Sequence, residues 1–104
     1  MKGRTPRKAE REHMERVREL GCIVCRLYLD KFRIAAIHHV NGRTKPGCHL
    51  TVLPLCFDHH QGGADSGLFI SVHPYKSRFE AAYGSEFYLL KAVDNLLETC
   101  GELK

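Results

Sequence analysis

Two short segments, Cys22-Ile-Val-Cys25 and Cys56-Phe-Asp-His59, decide the fold that this sequence predicts. Each places two metal-binding side chains with two residues between them, as a turn around a zinc ion requires. Two such pairs supply the four ligands of a tetrahedral site. The alternative is a set of buried free thiols beside an incidental histidine. We predict a structural zinc ion bound by Cys22, Cys25, Cys56 and His59.

The region between Cys22 and His73 concentrates the metal-binding side chains, since it holds four of the five cysteines and six of the seven histidines. The first thirteen residues lack the apolar segment of a signal peptide, and no apolar run approaches the roughly 20 residues of a membrane span. We therefore expect a cytoplasmic protein with no membrane association. In such a reducing compartment, an odd number of cysteines favours metal ligands over disulfides.

Length and composition predict one small folded domain. The chain has 104 residues, of which 43% are hydrophobic and 27% are charged. A core of this size is thin and often needs a metal to stabilise it. Residues 2–8 contain Pro6 and no apolar side chain. We expect a flexible basic arm over residues 1–8 and a single domain over residues 9–104.

The hydrophobic pattern predicts three helices and one hairpin. The predicted elements are a helix over 8–20, strands over 33–40 and 50–55, a helix over 74–83 that Gly84 ends, and a last helix that Ser85 caps. We expect the last helix to carry Phe87, Leu90, Val93 and Leu97 on its apolar face. The predicted fold is a small zinc-stabilised α+β domain in which a two-stranded β-hairpin packs among helices.

A classical zinc finger is an alternative interpretation of Cys22 and Cys25, because His38 follows Cys25 after twelve residues. That motif requires a second histidine separated from the first by three to five residues. The chain has Gly42, Arg43 and Thr44 at those positions. The finger interpretation therefore fails.

The pair His38-His39 and the later His60 are not needed for a structural zinc. Adjacent side chains on a strand point to opposite sides, unless the strand ends in a bend or bulge. At such a bend both histidines can serve one site. One imidazole can then hold a metal while its neighbour takes a proton from water that attacks a phosphodiester.

Basic charge coincides with the predicted metal-binding region. Residues 1–20 carry seven Lys/Arg against four Glu, residues 21–60 carry five against two acidic residues, and residues 61–104 carry four against six. A basic surface near metal ligands is typical of a nucleic-acid-binding protein, although an ordinary solvated face is the alternative. The candidate phosphate contacts are Lys2, Arg4, Arg7 and Lys8 in the arm, and Arg43 and Lys45 between the strands.

The motifs resemble those of the HNH, or ββα-metal, endonucleases, which have a CxxC, a strand ending in Asp-His or His-His, a strand reading PLC, and xxCH. The corresponding segments are Cys22-Ile-Val-Cys25, Ile37-His38-His39-Val40, Leu53-Pro54-Leu55-Cys56 and Phe57-Asp58-His59-His60. More narrowly, HHVNGRTK, LPLCFDHHQGG and SVHPYKSRFEAAYGSE resemble the phage Ref proteins, which are RecA-dependent nucleases that enhance recombination.

This resemblance implies a ββα-metal core, metal-dependent phosphodiester cleavage and a phage protein in a bacterial host. It implies that His39 is the general base and that His38 and His60 bind the catalytic ion, Mg²⁺ or another divalent cation. His73 has no counterpart in the general family. It is a further candidate for a metal ligand or phosphate contact, with helix capping as the alternative.

Two positions depart from the family pattern. His59 replaces the usual fourth cysteine of the zinc site, which leaves open whether His59 or His60 faces the zinc. The middle asparagine of the family name has no clear counterpart, and His49 is the candidate to replace it.

Three functions remain: a DNA endonuclease with little sequence specificity, a non-catalytic zinc module that binds nucleic acid, and a structural partner-binding domain. The His38-His39 pair favours the nuclease. We expect a monomer. The resemblance to the phage Ref proteins implies that it cuts DNA held in a RecA filament, and acidic helices placed away from the ligands could face such a protein. That expectation places Glu80, Glu86, Asp94 and Glu98 away from the ligand cluster.

Overall fold

The structure, a computed structural model, describes residues 5–42, 44–62, 65–66 and 69–102. Its elements are α1 (Lys8–Glu19), a π-helical turn (Cys25–Leu29), β1 (Ala36–His39), β2 (Val52–Leu55), α2 (Phe57–His60), β3 (Asp65–Ser66), β4 (Phe69–Ile70), α3 (Val72–Tyr83) and α4 (Glu86–Glu102). The strands form two antiparallel pairs, β1 with β2 and β3 with β4. The predicted α+β class with a two-stranded antiparallel sheet among helices is confirmed.

Helix α1 forms where the sequence predicts it, and it begins at Lys8, the last residue assigned to the arm. The backbone N–H of Arg7 donates to Oε1 of Glu10 at 2.8 Å, which satisfies one donor at the helix start. Gly21 follows the helix with φ +78°, and a Cβ there would lie 2.7 Å from the ring of Phe32. Glycine is therefore needed where the chain leaves α1.

The β1–β2 hairpin is shorter than predicted, with four residues in each strand. Its register pairs Ala36 with Leu55 and His39 with Val52. The carbonyl of Arg33 accepts a hydrogen bond from the N–H of Cys22 at 3.0 Å. The backbone of Arg33 thus supports the first cysteine pair instead of extending β1.

Helix α2 directly follows β2 and is one turn long. The carbonyl of Cys56 accepts hydrogen bonds from the N–H groups of His59 and His60, at 3.1 and 2.9 Å. Together β1, β2 and α2 form a ββα unit. The β3–β4 pair that follows is an element that the sequence pattern did not predict.

Helices α3 and α4 confirm the predicted boundary at Gly84 and Ser85, since Ser85 Oγ accepts a hydrogen bond from the N–H of Tyr88 at 3.0 Å. Helix α3 begins at Val72, two residues before the predicted Pro74, and His73 and Tyr75 have non-helical backbone angles.

The apolar face predicted for α4 is partly wrong. Phe87 is 70% exposed, whereas Leu89, Val93 and Leu97 are buried. These three residues are spaced by four, so they lie along one side of a helix, and Phe87 lies about 200° around from Leu89. The buried face is therefore set by Leu89 and not by Phe87.

The core lies between α1, the hairpin and the last two helices. Its largest fully buried side chains include Phe79, Ile23, Leu53, Leu55 and Leu89. Within the residues that the structure describes, no helix combines the length and apolar character needed to cross a membrane.

Candidate metal centres

The two cysteine-containing segments meet in the interior. Cys22, Cys25, Cys56 and His59 are all buried, and their ligand atoms lie close to one another. Nδ1 of His59 is 3.5 Å from Sγ of Cys22, 3.6 Å from Sγ of Cys25 and 3.3 Å from Sγ of Cys56. The Sγ atoms of Cys25 and Cys56 are 3.9 Å apart. We call these four residues the Cys3His cluster.

The geometry of the Cys3His cluster fits a tetrahedral ion. With Zn–S of about 2.3 Å and Zn–N of about 2.0 Å, ligands at tetrahedral angles have S···N separations of about 3.5 Å and S···S separations of about 3.8 Å. The observed separations are close to these values. One ring nitrogen can make only one ordinary hydrogen bond, so the similar distances of three sulfurs from Nδ1 fit the arrangement of ligands around an ion better than a hydrogen-bonded group. The cluster could hold a metal ion such as zinc.

Burial of the thiols in the Cys3His cluster creates a need for positive charge if they ionise. Removal from water raises the pKa of the Cys22 and Cys25 thiols, and the neighbouring thiols raise that of Cys25 further. The thiolate forms that bind metals are thus disfavoured without a compensating charge, and a divalent cation supplies that charge.

The structure answers which of the two adjacent histidines joins the cysteines. His59 lies in the Cys3His cluster, and its ring packs against Phe69 and Tyr83 with centroid distances of 4.9 and 5.2 Å. His60, the next residue on α2, belongs to a second group of histidines.

That second group consists of His38 from β1, His60 from α2 and His73 from the start of α3, and we call it the three-His cluster. One ligand atom from each residue lies within 4.8 Å of the others. The ring centroids of His38 and His60 are 5.2 Å apart, and those of His38 and His73 are 5.0 Å apart. Three elements that are distant in sequence thus place three imidazoles around one point.

The three-His cluster opens to solvent. An open cavity of about 250 Å³ is lined by Ile37, His38, His39, Gly42, His60 and His73. Three protein ligands beside an accessible space are typical of metal sites that bind water or substrate at a remaining position. Imidazole ligands suit zinc, iron, nickel or copper better than Mg²⁺, which prefers oxygen.

Two imidazoles of the three-His cluster, those of His60 and His73, favour the neutral form that binds metals. Burial, together with His38 and His73, lowers the pKa of His60 to about 4. Burial and His38 also lower the pKa of His73. At neutral pH these two rings therefore present lone pairs to a cation.

His39 lines the same cavity as His38 and contacts His49. Nε2 of His39 is 3.0 Å from Nδ1 of His49, and His49 is only 3% exposed. Strand β1 ends at His39, and the N–H of Gly42 donates back to its carbonyl at 3.3 Å. The predicted combination of adjacent histidines at a strand end thus places both at one cavity.

Glu86 was wrongly expected to lie away from the ligands. Its Oε2 is 2.5 Å from Nε2 of His38, and its side chain is 7% exposed. Oε1 lies 3.2 Å from Nζ of Lys76. Burial alone would raise the pKa of Glu86, but the hydrogen bonds from His38 and Lys76 outweigh it and lower that pKa below its ordinary value.

The exposed acidic surface of α3 and α4 is smaller than expected, because Glu86 is buried. Asp94 and Glu98 are exposed on α4, and Glu80 is half-buried on α3. The Ser85 cap signalled that α4 begins at Glu86, but no local pattern indicated that this end of α4 faces β1.

The candidate phosphate contacts are only partly described. Arg7, Lys8 and Lys45 are exposed, whereas Lys2, Arg4 and Arg43 lie outside the described residues. The exposed positions are compatible with nucleic-acid binding, which stays a prediction for all six residues.

The fold and the two clusters define a small α+β protein with two groups of side chains that could each hold a metal ion. Residues 6–98 match the sequence model of a family described as recombination enhancement, RecA-dependent nuclease. The chain belongs to this family. The description implies a nuclease that acts on DNA in recombination and associates with RecA, which confirms the narrower resemblance at the level of the family.

Proposed function

We propose that this protein is a metal-dependent endonuclease of the HNH type that hydrolyses DNA phosphodiester bonds, with little sequence specificity, in DNA coated by RecA. The observation that carries the proposal is the convergence of His38, His60 and His73 on an open cavity that His39 also lines. A purely structural zinc module has no use for a second, open group of ligands.

The order of the elements supports the HNH assignment. The β1–β2 hairpin supplies His38 and His39, and α2 supplies His60 immediately after the last residue of the Cys3His cluster. We propose that the Cys3His cluster holds zinc for stability and that the three-His cluster holds the catalytic divalent cation. A phage origin rests on the resemblance to the phage Ref proteins.

The proposed mechanism divides the work among the histidines. His38, His60 and His73 would hold a divalent cation, which when bound neutralises the charge that grows on the phosphate and the leaving oxygen. His39 would take the proton of the attacking water as the new P–O bond forms. The ester P–O bond then breaks, and the leaving oxygen takes a proton from solvent.

Residues around the histidines would position the reaction. His49 would fix the ring of His39 through the 3.0 Å contact. Exposed Arg7, Lys8 and Lys45 would bind flanking phosphates through charge, which carries no sequence information. Such contacts explain the expected lack of specificity.

The test is cleavage of labelled DNA, naked or in a RecA filament with ATP, at one salt concentration. Mg²⁺, Mn²⁺, Co²⁺ and Zn²⁺ are compared because the three-His cluster suits transition metals. The matched variants are His39→Ala and His13→Ala, the latter on α1 outside both clusters.

We expect divalent-metal-dependent cleavage of filament DNA by the natural protein and by His13→Ala, and cleavage about 10²- to 10⁴-fold slower by His39→Ala. Cleavage of naked DNA should be weak or absent. Equal rates on naked and coated DNA would contradict the filament requirement. DNA binding with no cleavage under any condition would instead indicate a non-catalytic zinc module.

A further inference from the structure

Glu86 is a buried carboxylate that the proposed mechanism does not use. Its Oε2 contacts Nε2 of His38 at 2.5 Å, and the two side chains are 7% and 6% exposed. A buried carboxylate is costly unless it is paired, so this contact is a specific feature of the fold. It joins the start of α4 to β1, across 48 residues of sequence.

The chemistry of the pair determines which nitrogen of His38 can bind a metal. An ionised carboxylate only accepts hydrogen bonds, so Nε2 must carry the hydrogen that it donates to Glu86. In a neutral imidazole, Nδ1 then holds the lone pair. Metal-bound histidines commonly donate their other N–H to a carboxylate, which fixes the ring and increases its basicity.

We propose that Glu86 is a positioning residue of the three-His cluster, which holds His38 in the tautomer and orientation that present Nδ1 to the metal ion. The inference rests on the proposed function, because it concerns the same ion. Glu86 acts only through His38.

Two contacts hold Glu86 in place for this role. Lys76 lies 3.2 Å from Oε1, the carboxylate oxygen that does not face His38. The backbone N–H of Glu86 donates to Oε2 of Glu80 at 3.4 Å. Helix α3 therefore supports both ends of the residue, and Oε2 stays directed at His38.

The test is Co²⁺ binding to the zinc-loaded protein without DNA, measured by calorimetry and by the visible spectrum of the ion. The variants are Glu86→Leu, which removes the acceptor, and Glu86→Gln, whose amide oxygen can still accept from Nε2. Glu98→Gln is the control, because it removes the same charge from an exposed position on α4. Thermal melts of all variants report on folding.

We expect Co²⁺ to bind about 10- to 100-fold more weakly to Glu86→Leu, with a smaller loss in Glu86→Gln and none in Glu98→Gln. A purely structural role would lower the melting temperature and leave the affinity of the folded protein unchanged. If Glu86→Leu does not fold, Glu86→Gln alone decides, because it must still bind Co²⁺ more weakly than Glu98→Gln.

Two results would overturn the inference while the proposed function stands. One is unchanged Co²⁺ affinity in the Glu86 variants. The other is a loss as complete as that of His38→Ala, since Glu86 would then be a ligand itself. A natural protein that binds no ion beyond its zinc overturns both proposals. If the Glu86 variants bind Co²⁺ more weakly as expected but the natural protein cleaves no DNA, the proposed nuclease is contradicted and the role of Glu86 is supported.

Discussion

The Cys3His cluster and the three-His cluster are neighbours that differ in exposure. All four members of the first are buried, at 1% exposure or less. In the second, His38 is buried, His60 is half-buried and His73 is exposed. A closed set of four ligands leaves an ion no open position, whereas three ligands beside a cavity do. This difference in exposure fits the proposed division of roles, in which the Cys3His cluster stabilises the fold and the three-His cluster serves the reaction.

The largest effect on stability should come from removing a ligand of the Cys3His cluster. We expect Cys22→Ser or Cys56→Ser to unfold the domain, because structural zinc contributes on the order of 10 kcal/mol, comparable to the total stability of a small protein. Thermal melts and zinc analysis measure the effect, and a strong chelator should reproduce it.

Cys48→Ser is the control for this change, because Cys48 is 1% exposed but lies outside the cluster. Cys48→Ser should lower the free energy of unfolding by about 1–3 kcal/mol, the range for burying a hydroxyl. Equal falls in melting temperature for Cys48→Ser and Cys22→Ser would contradict a structural zinc in the Cys3His cluster. A melting temperature that the chelator does not change would contradict it as well.

The second-largest effect should be on the cleavage rate and not on stability. His39→Ala should lower the cleavage rate by about 10²- to 10⁴-fold, because a general base acts on the barrier. Folding and DNA binding should stay near normal. Single-turnover cleavage and a binding isotherm on the same DNA check both statements, and full activity would exclude His39 from the mechanism.

A smaller loss should follow when the partner of His39 is removed. His49→Ala should lower cleavage by about 10- to 100-fold, in the range found for removal of a group that orients a metal-site residue. His49→Asn should retain more activity, because an amide can still hydrogen-bond to Nε2 of His39. Equal rates for the two variants would show that the 3.0 Å contact has no catalytic role.

The smallest effect should come from the basic residues of the N-terminal arm. Replacing Lys2, Arg4 and Lys8 with Gln should weaken DNA binding. The slope of log affinity against log salt concentration should become less steep by about 0.7–0.9 for each phosphate that the arm no longer neutralises. These changes spare α1, which a deletion through Lys8 would shorten. Lys91→Gln, an exposed change on α4, is the control. An unchanged slope would show that the arm binds no phosphate.

Local sequence signals predicted much of the fold. The spacing of the ligands around Cys22 and Cys56 predicted the four residues of the Cys3His cluster. Gly84 and Ser85 predicted the boundary between the last two helices. These features depend on residues a few positions apart. Spacing alone could not decide between His59 and His60, because the choice depends on the rotation of α2.

The contact between Glu86 and His38 could not be predicted from local pattern, because it forms only when α4 packs against the β1–β2 hairpin. An acidic residue just after a helix cap has the pattern of an ordinary first-turn residue. The prediction that placed Phe87 on the buried face of α4 was wrong for a related reason. Phe87 and Leu89 both begin acceptable apolar stripes, and only tertiary packing selects between them.

Helix α2 carries one ligand of each cluster within a single turn, since His59 and His60 are consecutive residues. Consecutive helical residues point about 100° apart, so any rotation of α2 moves both imidazoles. The two ions of the proposed function should consequently be thermodynamically linked. By reciprocity, the factor by which zinc tightens the second ion must equal the factor by which the second ion tightens zinc. Paired titrations of the two metals, in either order, would measure that linkage as one coupling constant.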